Sequence, residues 1–95
     1  MNTTTKDLLK KIQPIFKEKD YESVIREIDK FFEHNKLQPD IINFKATALR
    51  ELRNYEDAKQ AYLEGLRLDP NNTHILNNLS KLLILQEEYN SARKI

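Results

Sequence analysis

The chain has 95 residues, 39% apolar and 33% charged, a balance that suits one small domain and argues against a chain disordered throughout. One glycine and three prolines are too few turn formers for an all-β fold, and the absence of cysteine excludes disulfides, zinc–thiolate sites and cysteine nucleophiles. A net charge of +1 supplies no strong field to draw the chain to nucleic acid or anionic lipid.

The start, Met1 to Asp7, lacks an apolar signal core. Residues 1–5 read as a disordered tail. Thr5 can cap a first helix over about residues 6–18. Pro14 falls inside it, where a missing N–H and a ring clash cost about 3 kcal/mol, so a kinked or restarted helix is expected. Asp20 can cap a second helix over about residues 21–34. From Asp40 to Leu52, apolar residues at 41, 42, 44, 46, 48, 49 and 52 recur mostly at helical steps. Pro39 suits the first helical position, where its missing N–H costs nothing. Asn54 can cap a fourth helix, with Asp57 completing a weak variant of the capping box. Its stripe carries Tyr55, Ala58, Ala61, Tyr62, Gly65, Leu66 and Leu68, and Asp69-Pro70-Asn71-Asn72 stops it. Asn72 or Thr73 can cap a fifth helix over about residues 74–86. A last helix is expected to begin near Glu88 and run to Ile95. The longest apolar run, Leu82 to Leu85, is far too short to span a bilayer, and a cytoplasmic setting is the expectation.

The elements repeat. Tyr21, Tyr55 and Tyr89 lie 34 residues apart. The same step links Leu8, Ile42 and Leu76, then Ile12, Ala46 and Ser80, then Ile15, Leu49 and Leu83, then Val24, Ala58 and Ala92. Each cycle is helix, short turn, helix, stop: an αα-hairpin. The cycles cover about residues 5–38, 39–72 and 73–95, the last one incomplete.

The segment Ile42…Ala46…Leu49…Tyr55…Ala58…Tyr62…Leu68-Asp69-Pro70-Asn71-Asn72 resembles a tetratricopeptide repeat, and the resemblance covers nearly the whole chain from about Thr5. It implies an all-α fold, a right-handed superhelical stack of αα-hairpins. Ala46, Ala58 and Ala92 would lie where helices cross closely. Tyr55 and its equivalents would wedge between helices with the hydroxyl wet. Departures from the family pattern are Lys11 and Lys45 in a column usually held by leucine, which only Leu79 fits. Ile12 is larger than the usual small residue, and Lys36 stands in place of a stop proline, so residues 35–38 are expected to form a looser link. Gly65 replaces the expected alanine and weakens its helix by about 1 kcal/mol.

The resemblance implies a concave groove lined by the first helix of each hairpin. Its peptide-binding columns here are Gln13 and Lys17, then Asn43, Thr47 and Arg50, then His74, Asn77 and Lys81. Lys6, Leu9, Phe16, Asp40, Glu51, Ile84 and Leu85 also fall in the groove columns. Amide side chains both donate and accept, which suits an extended backbone. A clamp for acidic chaperone tails, known in the family, would need lysines, asparagines and an arginine where this chain has Leu9, Gln13, Phe44, His74 and Asn78. None of these fits, so no chaperone-tail clamp is expected.

Catalysis finds no support: His34 and His74 stand 40 residues apart without a nucleophile or acidic partner. No catalytic residue, metal ligand or cofactor is expected. The expected function is a protein–protein interaction scaffold binding a peptide or partner helix, with no nucleic-acid or membrane partner. The alternatives are a helical-repeat RNA-binding module and a docking or regulatory domain of a larger enzyme. Residues 79–95 would leave the Leu82–Leu85 face, Tyr89 and Ala92 partly uncovered. That edge is expected either to continue into a longer array or to be covered by a partner or self-association.

Overall fold

The computed structural model describes residues 4–93, which form five helices: α1 (Thr5–Lys17), α2 (Tyr21–Phe32), α3 (Pro39–Glu51), α4 (Tyr55–Leu68) and α5 (Thr73–Arg93). No strand occurs among the described residues, so the chain is an all-helical stack of hairpins.

Local chemistry sets each boundary. Thr4, one residue before the expected Thr5, caps α1. Its hydroxyl accepts the Asp7 N–H at 3.1 Å, and the Asp7 carboxylate accepts the Thr4 N–H at 3.4 Å, a reciprocal capping box. Thr4 and Thr5 therefore belong to the helix start rather than to a tail, and Met1–Thr3 lie outside the described residues. Pro14 does not restart α1, which runs on to Lys17. The ring is exposed, and the Pro14 carbonyl still accepts the Glu18 N–H at 3.0 Å. Asp20 caps α2 as expected, accepting from the Ser23 N–H at 3.3 Å. That helix stops at Phe32, two residues short of the sequence reading, and the Asn35 side chain donates to the Phe31 carbonyl at 2.8 Å. Pro39 opens α3. Asn54 stands at the cap of α4 without a side-chain bond, so the capping box with Asp57 does not form. The Asn72 carboxamide accepts the Ile75 N–H at 3.0 Å and starts α5.

The two hairpin turns are the same device, 34 residues apart. Lys19 and Arg53 both take the left-handed conformation, with φ of 65°. In the first turn the Lys19 N–H donates to the Phe16 carbonyl at 3.0 Å and the Asp20 N–H to the Ile15 carbonyl at 3.1 Å. In the second, Arg53 donates to Arg50 and Asn54 to Leu49, each at 2.9 Å. These paired bonds are the Schellman motif, which satisfies carbonyls the helix end would otherwise orphan.

The third cycle departs from this pattern. A turn near Glu88 was expected, but α5 continues unbroken for 21 residues. Tyr21 and Tyr55 each begin a helix, whereas Tyr89 lies within one. Residues 94–95 lie outside the described residues.

Two apolar clusters form the core. Leu8 and Ile12 of α1 meet Val24, Ile28 and Phe31 of α2, together with Ile41 and Ala48 of α3. Ala46 of α3 joins Ala58 and Tyr62 of α4 and Ile75 and Leu82 of α5 in the second. Helix α3 serves both, since Ile41 and Ala48 lie on one side and Ala46 on another. Phe44 joins the units, stacking edge-on against Phe16 at 5.9 Å. The lysines at the usual leucine column have a role: Lys11 pairs with Glu27 at 2.8 Å and Lys45 with Asp29 at 2.7 Å, both on α2. Gly65 also has a packing reason, because a Cβ there would lie 2.7 Å from the δ-methyl of Ile75. The stack is elongated, 53 × 29 × 19 Å.

Candidate peptide-binding groove

The residues named from sequence fall on α1, α3 and the first half of α5. Gln13 and Lys17 are exposed on α1, and His74, Asn77 and Lys81 are exposed on α5. Asn43, Thr47 and Arg50, three and four residues apart, share one half-buried face of α3.

Two of these three are tied to other helices. The Asn43 carbonyl oxygen accepts from the Asn78 amide at 3.0 Å, tying α3 to α5. The Thr47 hydroxyl lies 2.7 Å from the Tyr62 hydroxyl, tying α3 to α4. Burial pushes the Tyr62 phenol above its ordinary range, because ionisation would leave a charge largely out of water. The sequence reading did not connect Asn78 or Tyr62 with these residues. Asn43 and Asn78 are 35 residues apart, close to the period, which is the signal that pairs them.

Arg50 differs. Its side chain is 15% exposed, and one guanidinium nitrogen, Nη2, donates to Glu51 at 3.3 Å. The other, Nη1, is buried without a hydrogen-bond partner. An unmet donor of this kind costs about 1–3 kcal/mol. Arg50 borders a hollow of about 400 Å³ whose other walls are Glu51, Lys81, Ile84, Leu85 and Glu88. Ile84 is 58% exposed and Leu85 39%. The hollow thus combines two cations, two carboxylates and an apolar wall between α3 and α5. It can receive an apolar side chain beside a carbonyl or carboxylate.

Among the described residues, no group of three or more histidine, aspartate or glutamate side chains is placed to hold a metal ion. No described helix is long and apolar enough to cross a membrane. Residues 39–72, which span α3, α4 and the Asp69–Asn72 stop, match the family model for the tetratricopeptide repeat. No curated protein and no solved structure matches the chain. Such repeats are generally protein–protein interaction modules, and proteins built from them are typically non-enzymatic scaffolds. Residues 39–72 are thus matched as a tetratricopeptide repeat, and the five described helices fit about two and a half such repeats.

Proposed function

We propose that the chain is a protein–protein interaction scaffold that takes a peptide or partner helix along the face between α3 and α5. The observation that carries this reading is the unpartnered Arg50 Nη1 beside a hollow that also holds Lys81 and the exposed Ile84 and Leu85. With Arg50 turned toward the hollow, a carbonyl or carboxylate from a guest would give the buried guanidinium nitrogen its missing acceptor, and an apolar side chain would cover the wall. A charge-assisted bond in a half-buried site is stronger than a neutral one.

Selection from a displayed peptide library tests it. Peptides enriched on the native chain should bind at least about tenfold more weakly to the double variant Arg50→Gln/Lys81→Ala, a loss of about 1.4 kcal/mol. Equal binding by the variant would remove this face from recognition. Asn43 is left unchanged, because it ties α3 to α5.

Self-association through α5 is a second use of the same end, favoured by the exposure of Leu83 (43%), Ile84 (58%) and Leu85 (39%). Sedimentation equilibrium should show a dimer that the triple change of these three to serine abolishes. A strict monomer at high concentration rejects it.

A further inference from the structure

A second hollow, of about 540 Å³, opens where α2, α3 and α4 meet. It uses another side of α3: Ile42, Lys45 and Leu49 line it, roughly a third of a turn or more around the helix from Asn43, Thr47 and Arg50. It follows the seam between the two core clusters. Ile25 and Phe32 edge one cluster, Leu49 and Ala61 edge the other, and all four are only partly buried. Leu37, in the link between α2 and α3, is 41% exposed and completes the apolar floor.

The rim is acidic. Asp29 is answered by Lys45 at 2.7 Å. Asp57 and Glu64 also border the hollow, and both are exposed. Among the described residues neither enters a salt bridge or a side-chain hydrogen bond. They stand seven residues apart on α4, two turns, so they point the same way about 10 Å apart. The net result is an apolar trough with two unanswered negative charges along one wall.

We propose that this trough is a second docking surface, taken by an extended peptide segment in which apolar side chains are flanked by lysine or arginine. The apolar side chains displace water from Ile25, Phe32 and Leu37. The cations face Asp57 and Glu64. In an extended polyproline-II segment, with three residues per turn, residues three apart point the same way about 9 Å apart, close to the spacing of the two carboxylates. The surface is distinct from the α3–α5 face, so both can be occupied at once.

The test is an NMR titration of the full chain with a synthetic Lys-Leu-Phe-Lys peptide, capped at both ends and extended by glycines. Amide shifts should concentrate on residues 25–37 and 57–64. Asp57→Asn/Glu64→Gln should weaken binding about tenfold or more. The charge-matched control Glu18→Gln/Glu22→Gln should leave it unchanged, as should Arg50→Gln/Lys81→Ala. The same peptide with glutamate in place of lysine should not bind. Shifts that map to the α3–α5 face, equal binding of the glutamate peptide, or an effect of the control variant equal to that of the trough variant would each overturn the proposal. So would an absence of shifts in a protein whose circular dichroism shows it folded.

Discussion

In the first two units the chain reverses at residues 18–20 and 52–54 through identical hydrogen bonds and a left-handed residue. One period later, residues 86–88 hold the same register and run straight through the middle of α5. A left-handed residue other than glycine costs about 1–2 kcal/mol. That cost is offset where the returning helix has a face to bury. α2 returns Val24, Ile28 and Phe31 to the core, and α4 returns Ala58, Tyr62 and Gly65. Past Glu88 the apolar residues among those described are Tyr89 and Ala92, and both are exposed. Gln86, Glu87 and Glu88 are also good helix formers, without the capping habit of Asp20 or Asn54. The period marks where a turn can occur. Burial and capping decide whether it does.

That contrast can be tested by paired substitutions. The largest difference is expected at neighbouring leucines of α5. Leu82 is fully buried and Leu83 is 43% exposed. Urea unfolding should show Leu82→Ala losing about 2–5 kcal/mol, and Leu83→Ala changing stability by no more than about 0.5 kcal/mol. Similar losses at both sites would mean that the far side of α5 is covered in solution.

The alanine column sharpens the comparison between cycles. Ala58 is fully buried against Ala46 and Tyr62, whereas its equivalent Ala92 is exposed. Ala58→Leu should overpack the crossing and cost about 1–3 kcal/mol. Ala92→Leu should stay within about 0.5 kcal/mol. Next come the cap positions. Asp20→Ala removes the acceptor for the Ser23 N–H and should lower the unfolding free energy by about 1 kcal/mol. Glu88→Ala should be neutral or slightly stabilising by thermal melting, because residue 88 is a helix interior and alanine is the best helix former. A loss at 88 equal to that at 20 would signal a cap, and hence a turn, there.

The smallest effect belongs to the Lys11–Glu27 pair, which has no counterpart on α5. The hydrogen bond from Lys11 holds the Glu27 carboxyl below its ordinary value of 4.5. A lowered value in the folded chain means a contribution present above that ordinary value and lost as pH falls through the folded one. The pair is partly exposed, so its worth is about 0.2–1 kcal/mol. Chemical denaturation should show Lys11→Met less stable than the native chain at neutral pH, with the gap closing in acid. A gap independent of pH would place the effect in the lysine's stem rather than its charge.

Much of the fold is legible in the residues. Helical spacing, Pro39, Asp20 and the Asp69–Asn72 stop place four helix boundaries within two residues of those observed. What escapes the sequence is tertiary. Pro14 is tolerated because it stands exposed near the end of α1. Gly65 is explained only by the approach of Ile75, and Lys11 and Lys45 only by the carboxylates of α2. In the groove, the periodic columns locate a face but do not show which members are already engaged. Asn43 ties α3 to the next unit and Thr47 closes its own hairpin, while Arg50 retains an unmet donor. The straight course of α5 had a local sign in Gln86-Glu87-Glu88, which the register outweighed.

The decisive measurement is the distance between positions 80 and 92. Their equivalents, Ala46 and Ala58, are both buried in the same core cluster. The chain has no cysteine, so nitroxides can be placed at these two exposed sites alone. A continuous α5 separates them by 12 residues, about 18 Å between backbones. A separation of about 8–10 Å, that of packed helices, would show a closed third hairpin and contradict the account.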